Sequence, residues 1–550
     1  MVDKAGFNKI PVKYWTWGMV LLVVLFIGAI RWRLLEMPLE RDEGEYAYTG
    51  QLMLQGIAPY KIAYFMKLPG AHAAYAVIMA VFGQTPAGIH FGLLLVNTAT
   101  IILVFLLGKR LADTTAGVIA CACYGLMSVS PYVLGLQAHA THFVVLPALM
   151  GILLLCRATE SSRIFTYFLS GLFLGIGFLM KQPGVFFMIF GALLVFWFEL
   201  QARPFNCVRF LKRGIVFSLG AILPYIVACL ILWRAGVFQR FWFWTVTCVR
   251  SYGSILTISE GWDQLFHYFT LQCGPNQFLW LLGGLGFFFL LFDRKAGRGK
   301  LIVLGLLFFS VLATSQGLYF RHHYFILILP VLALVMGAGL GSAQRFLLTH
   351  KLLSNWALMP VTLFLLTFGY VVWAQNYFFF FTTPNEACQI IYQTNPFIES
   401  SEIARYIKEH TAVGDRIAVL GSEPQLYFYS GRHSATGYIY VYDLMEPSPL
   451  GKKMQRDMIQ EVEAARPEMM VMVNVVYSWN KLSETESLIF DWAAKYLHDH
   501  YEMVGVIEHS PTEPAVFHWG DEAVAYSSLE TENITVWKKK TSTATAKIGQ

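Results

Sequence analysis

Five short polar clusters stand between the apolar runs of this chain, and their residue types suit acid–base and phosphate chemistry. The first is acidic, Glu40-Arg41-Asp42-Glu43-Gly44-Glu45-Tyr46. The others carry cations or imidazoles: Lys67-Leu68-Pro69-Gly70, Gln137-Ala138-His139 with His142, Lys181-Gln182-Pro183, and Arg321-His322-His323-Tyr324. A carboxylate can take a proton from an attacking hydroxyl. Cations at headgroup depth suit a phosphate tethered to a lipid chain, and a phosphate leaving group needs charge stabilisation more than a strong acid. Each cluster also has a plainer role. Asp42 can cap a helix whose first turn favours Glu43 and Glu45. Lys181 can snorkel from a helix end, His139 and His142 can be hydrogen-bonded packing residues, and Arg321-His322-His323 can anchor outer-leaflet headgroups.

The elements that would position these residues are mostly membrane helices. Of 550 residues, 56% are hydrophobic and 14% charged, and the mean hydropathy is +0.51. No single soluble core can hide that much apolar surface. Apolar runs of about twenty residues, the length that crosses the hydrocarbon, fall near 14–33, 87–107, 115–135, 141–156, 164–180, 183–199, 214–233, 276–292, 300–318, 323–342 and 356–375. The run 71–82 is too short to cross and is expected to be re-entrant or interfacial. With Lys4, Lys9 and Lys13 ahead of the first span and 71–82 not crossing, the basic clusters all fall on the cytoplasmic side. These are Lys109-Arg110, Arg157 with Arg163, Arg203 to Arg213, 293–300, and Arg345 with Lys351. The positive-inside rule favours this arrangement over one in which 71–82 crosses. It predicts a cytoplasmic N-terminus and places all five polar clusters outside.

From residue 399 the composition becomes that of a soluble domain. Helix patterns at 401–410, 452–465 and 484–500 alternate with apolar strands at 417–420, 469–475, 503–507 and 534–537. That alternation predicts a small α/β domain with a mainly parallel sheet. The expected division is a membrane domain over 1–383, with the acidic motif in an outer loop over 34–86, a linker over 384–398 and an outer domain over 399–550. Within the outer domain, Gly421-Ser422-Glu423-Pro424-Gln425 follows a strand end, where α/β sheets bind ligands. Glu423 is thus a candidate for positioning an acceptor, although Glu423-Pro424 can equally start a helix. No zinc, P-loop or dinucleotide pattern is present, and the cysteine spacing fixes neither a disulfide nor a metal site.

These pieces, in this order, resemble the C-type-fold membrane glycosyltransferases, and among them the bacterial relatives of protein O-mannosyltransferases and of the aminoarabinose transferase of lipid A. The matching segments are 41–48, Gly56-Ile57-Ala58-Pro59-Tyr60, 67–70, Phe82-Gly83, 179–183 and 321–330. The resemblance implies inverting transfer of a sugar from a polyprenyl-phosphate donor to an envelope acceptor on the outer face of a bacterial inner membrane. It implies Asp42 as catalytic base, with Glu43 supporting or replacing it. Lys67, Lys181, Arg321 and His323 would hold the donor phosphate, and Tyr324 would line the pocket for sugar or lipid. Many relatives carry a second acid between the third and fourth spans; here Gln137 to His142 has none, which leaves His139, with Glu45, to position acceptor or sugar. No metal, cofactor or nucleic acid is expected. The alternative is a transporter or flippase of a lipid-linked glycan. Repeats and broken polar helices at the bilayer midplane would mark one; here the polar residues gather at one face.

Overall fold

The computed structural model of the chain describes residues 12–161, 163–253, 255–350, 352–481, 485–509, 514–526 and 532–541. Lys4, Lys9 and Lys351, used above for topology, lie outside the described residues. The first nine long helices are α1 (Val12–Arg33), α2 (Arg41–Leu54), α3 (Gly70–Phe82), α4 (Pro86–Leu111), α5 (Thr114–Met127), α6 (Ala140–Ser161), α7 (Ile164–Met180), α8 (Gly184–Gln201) and α9 (Cys207–Arg234). The helices Gln277–Phe292, Gly297–Thr314, Leu329–Thr349 and Met359–Ala374 follow. Each of the eleven expected spans overlaps a helix, but 115–135 outruns α5, which ends at Met127, and 323–342 begins ahead of the helix Leu329–Thr349.

Eight helices among the described residues are long and apolar enough to cross a bilayer, or nine if Ile258–Cys273 and Gln277–Phe292, which meet at 109°, count as one broken span. α5 and α7 are shorter, with 14 and 17 residues. α5 is packed inside the bundle, with Ala120, Cys121 and Tyr124 fully buried, whereas α7 buries one face that includes Tyr167 and Leu174. α3 has 13 residues, about 20 Å at 1.5 Å per residue, short of the roughly 30 Å hydrocarbon core.

Contacts sort the loops into two ends. At one, Arg345 pairs with Asp293 (2.7 Å) and Asp113 (3.7 Å), Arg110 donates to the Cys156 carbonyl (2.7 Å), and Arg209 and Arg213 both pair with buried Glu199. These are the basic clusters assigned to the cytoplasm. The five polar clusters gather at the other end, where α6 begins and α7 finishes.

The soluble domain contains β1 (Arg416–Leu420), β2 (His433–Ser434), β3 (Met469–Asn474), β4 (Tyr501–Glu508), β5 (Val516–Trp519) and β6 (Asn533–Lys539), in the order β2-β1-β3-β6-β4-β5. The expectation of a mainly parallel sheet is incorrect. Only β1 pairs in parallel, with β2 and β3; the β3–β6, β6–β4 and β4–β5 pairs are antiparallel. The reason is the last third of the domain. The stretch from β4 to β5 is too short for a parallel crossover, so it makes a hairpin. β6 then enters between β3 and β4 with Ile534 and Val536 buried. The stretch 384–398 contains the helix Pro384–Tyr392, and Ala387, Cys388 and Phe397 are buried in the core of the helical bundle.

α2 is the junction between the two parts. Arg41 donates to the Ser422 carbonyl (2.7 Å), Glu423 (3.0 Å), Asn395 (3.1 Å) and the Tyr442 hydroxyl (3.0 Å). The Ser434 amide donates to the Tyr48 hydroxyl (2.8 Å). Between them, Gly44 lies so close to the soluble domain that a Cβ there would stand 2.6 Å from the Gln425 nitrogen. Gly44→Ala must push the domains apart at a backbone atom, which cannot rotate away. It is expected to destabilise by about 1–3 kcal/mol, seen as a lower thermal midpoint in detergent.

Candidate active site

Helical spacing gives α2 three faces. Asp42, Glu45, Tyr46 and Thr49 share one; Arg41, Gly44 and Tyr48 face the soluble domain; Glu43 points to the third. The cap that starts the helix decides this. Glu40, not Asp42, is the N-cap: its carboxylate accepts from the Glu43 amide (2.9 Å), and Glu43 accepts in return from the Glu40 amide (3.3 Å). Capping by Glu40 leaves the Asp42 side chain available to the cavity.

Glu43 faces away from the cavity. It is fully buried, accepts from the Ala138 amide (2.6 Å) and meets His90 Nε2 at 3.0 Å. One residue along a helix is a 100° turn, and that turn separates the two neighbouring acids. Glu423 also lies outside the cavity. It is 1% exposed, bonded to Arg41 and to the Ser478 hydroxyl (2.6 Å), so its position is that of a buried link and not of an acceptor contact. Pro424 caps the helix Gln425–Ser430 that follows it.

The remaining expected residues converge. A cavity of about 1070 Å³, counted to its open mouth, is lined by Asp42, Glu45, Lys67 and Lys181, and by Arg321, His323 and Tyr324. Lys67 Nζ lies 2.9 Å from Asp42 Oδ1 and 3.2 Å from Glu45 Oε1, and 4.6 Å from the Tyr46 ring centre. The Tyr60 hydroxyl fixes the Lys67 backbone by donating to its carbonyl (2.7 Å). Lys181 Nζ stands 4.4 Å over the Tyr324 ring, and Arg321 lies over Tyr319 at 5.5 Å. His139, just behind the lining, stacks on His323 with ring centres 4.3 Å apart and an interplanar angle of 12°. Both imidazoles face the second Asp42 oxygen, at 3.8 and 3.9 Å. Asp42, His139 and His323 offer ligand atoms within 4.8 Å of one another, so the three could hold a divalent cation. They come from three separate elements, and no sequence spacing reveals such a set.

Burial and charge together set the protonation states. Burial would raise the Asp42 pKa, but Lys67, then His139 and His323, hold it well below the usual carboxylate range. Glu45 goes the other way: burial pushes it up to about 7, with Lys67 opposing and Asp42 adding to the rise. Burial lowers Lys181 to about 7 and pulls His323 well below its ordinary value. Lys67 is raised despite burial, because Asp42 and Glu45 favour its ammonium. The site thus combines a carboxylate that is ionised at neutral pH with a neighbouring acid and an amine that both change charge near neutrality. Environments that push paired groups apart in this way are how acid and base roles are divided.

The lining also includes residues that no sequence motif marks, among them Tyr440, Tyr442 and Asp443 from the soluble domain. They follow β2, a two-residue strand too short to register as an apolar run. The rule that ligands sit past strand ends pointed to the loop after β1 instead. The one available signal is the aromatic density of Tyr438-Ile439-Tyr440-Val441-Tyr442.

The profile of the family described as dolichyl-phosphate-mannose-protein mannosyltransferase matches residues 67–233, a segment that includes Lys67, His139 and Lys181. The undecaprenyl phosphate-alpha-4-amino-4-deoxy-L-arabinose arabinosyl transferase of Pseudomonas aeruginosa strain UCBPP-PA14 is 26% identical over 246 residues, covering 42% of this chain and 44% of that protein. The match therefore spans less than half the length of this curated relative. The crystal structure of ArnT from Cupriavidus metallidurans bound to undecaprenyl phosphate superposes over 96% of this chain and 98% of that one, with a TM-score of 0.57 at 13% identity. The archaeal oligosaccharyltransferase AglB from Archaeoglobus fulgidus, in complex with an inhibitory peptide and a dolichol-phosphate, superposes over 94% of this chain and 75% of that one, with a TM-score of 0.51 at 12% identity. The chain has the C-type glycosyltransferase fold: a polytopic helical membrane domain followed by a soluble α/β domain.

Proposed function

We propose that this protein transfers a sugar from a polyprenyl-phosphate donor to a hydroxyl of an envelope acceptor at the outer face of the bacterial inner membrane. The observation that carries this reading is the cavity at one end of the helix bundle in which Asp42, paired with Lys67, shares the lining with Lys181 and Arg321. The relatives support it, since undecaprenyl phosphate occurs in the names of both the aminoarabinosyl transferase and the bound ArnT structure. The N-terminus is cytoplasmic and the soluble domain outside in this scheme.

Lys181 and Arg321 hold the donor phosphate, and Tyr324 lies under the Lys181 ammonium. The acceptor oxygen bonds to the anomeric carbon while the bond from that carbon to the phosphate oxygen breaks. The electron pair leaves on polyprenyl phosphate, whose charge the two cations offset. The hydroxyl proton passes to Asp42, and attack opposite the leaving group inverts the anomeric centre. Lys67 keeps Asp42 ionised and oriented. His323 lines the same wall and adds a hydrogen bond to the phosphate.

Two measurements on the phosphate test the arrangement. Lys181→Ala is expected to weaken undecaprenyl phosphate binding by about tenfold to a hundredfold, the contribution of one charge-assisted hydrogen bond; unchanged binding would place the phosphate elsewhere. Proton uptake provides the second. With its pKa lowered to about 7, Lys181 is largely neutral at pH 8. A bound phosphate favours the ammonium and raises that pKa. Binding at pH 8 must then take up a proton, and binding at pH 6 takes up little. Calorimetry in buffers of different ionisation enthalpy measures the uptake directly, and equal uptake at both pH values would contradict it.

A further inference from the structure

The soluble domain carries into the cavity one carboxylate that the transfer scheme does not use. Asp443 lines the cavity beside Tyr440 and Tyr442, at the turn Tyr442–Met445. This turn is firmly held. The Tyr442 hydroxyl accepts from Arg41 (3.0 Å) and donates to the Tyr477 carbonyl (2.5 Å), while Leu444 and Met445 are buried behind it. Tyr440 and Tyr442 stand edge to face with centres 4.8 Å apart, and the Tyr440 ring lies 5.8 Å from Lys67 Nζ.

Neither the Asp443 carboxylate nor the Tyr440 hydroxyl has a hydrogen-bond partner among the described residues. Burial pushes the Asp443 pKa up to about 7, with Glu446 and Glu45 adding to it and Lys67 and Arg321 opposing. Glu45, Lys67 and Arg321 are also cavity-lining groups, so this carboxylate overlooks the reaction centre and not a remote corner. Both side chains are half-buried at the cavity wall, so their polar atoms are open to a ligand there. A carboxylate accepts hydrogen bonds and donates none when ionised, and an aromatic ring beside it offers an apolar face. That pair complements a saccharide ring, which presents hydroxyl or amino donors on its edge and C–H bonds on its face. A sugar whose phosphate is held by Lys181 and Arg321 is attached directly to that phosphate and falls among Asp42, Lys67 and this wall.

We propose that Asp443 and Tyr440 form the subsite that recognises the transferred sugar, Asp443 accepting hydrogen bonds from its ring substituents and Tyr440 packing on its face. The proposal rests on the glycosyl-transfer scheme and adds to it the source of donor specificity. Sites built to hydrogen-bond a polar substituent discriminate strongly against analogues that lack it, because their own polar groups are then left unpaired.

The test uses the full-length protein in detergent with two probes: undecaprenyl phosphate, and a panel of undecaprenyl-phosphate-linked hexoses and pentoses. In the wild type, one member of the panel should bind better than the sugarless lipid. Asp443→Ala should reduce the affinity for that member by roughly tenfold or more, leave undecaprenyl phosphate binding unchanged, and keep the wild-type thermal midpoint. Asp443→Glu should recover part of the loss. An equal loss for both probes, no loss for either, or an effect confined to the KM of the acceptor would overturn the subsite. Failure of the wild type to bind either probe would sink the transfer scheme and this proposal together, whereas lipid binding without sugar discrimination sinks the proposal alone.

Discussion

Asp42→Asn is expected to slow sugar transfer by roughly 10²–10⁴-fold, the range lost when a general base is removed, with undecaprenyl phosphate still bound. The substitution keeps the shape of the side chain and its ability to accept from Lys67 at 2.9 Å, but the amide cannot take a proton at neutral pH. The reacting geometry survives while the proton loses its destination, so the loss falls on kcat and not on KM for the donor. Glu43 provides the control. Its carboxylate completes the helix cap with Glu40 and meets His90 at 3.0 Å, so Glu43→Gln should lower the thermal midpoint more than it lowers the rate of the surviving folded enzyme. Comparable transfer rates for Asp42→Asn and the wild type would move the base elsewhere.

The second large effect is on stability. Arg41→Ala would leave the Glu423 carboxylate, 1% exposed, without its cation at the interface between the bundle and the soluble domain. Removing one partner of a buried pair costs about 3–5 kcal/mol, mostly from the charge left behind. The Tyr442 hydroxyl also loses its Arg41 donor, which loosens the cavity roof. The double variant Arg41→Met with Glu423→Leu removes both charges and should recover much of the lost thermal midpoint, though not the placement of Tyr442. Arg41→Ala with a wild-type midpoint would show that this junction contributes little.

The contrast between Arg41 and Asp42 also shows what the sequence could and could not reveal. Both lie in one short acidic motif, and the motif stood out because charges are costly beside apolar spans. Its division of labour was hidden, since it depends on which residue caps α2. Had Asp42 been the cap, its carboxylate would have been spent on backbone amides; with Glu40 in that role, Asp42 and Glu45 share the cavity face. The helix positions were legible because twenty apolar residues have few alternatives, and even α5 and α7 announced themselves by composition despite their shortness. Sheet order was not legible. Strand spacing is the same for a crossover and a hairpin until the connection is known to be too short, and nothing in β6 itself announces that it pairs with both β3 and β4. Glu423 illustrates the remaining gap: it sits where strand-end loops bind ligands, yet docking of the soluble domain turns that loop onto Arg41 and gives the cavity to Tyr440 and Asp443.

The most direct test of the account follows the sugar itself. Purified protein is reconstituted in liposomes with a radiolabelled undecaprenyl-phosphate sugar on the outer leaflet and an extract of envelope acceptors outside. If the protein transfers the sugar, label passes to the acceptor fraction with an equimolar release of undecaprenyl phosphate, and Asp42→Asn reduces both together. Intact labelled lipid appearing in the inner leaflet, with no undecaprenyl phosphate released, would contradict it and point to a carrier of lipid-linked sugars.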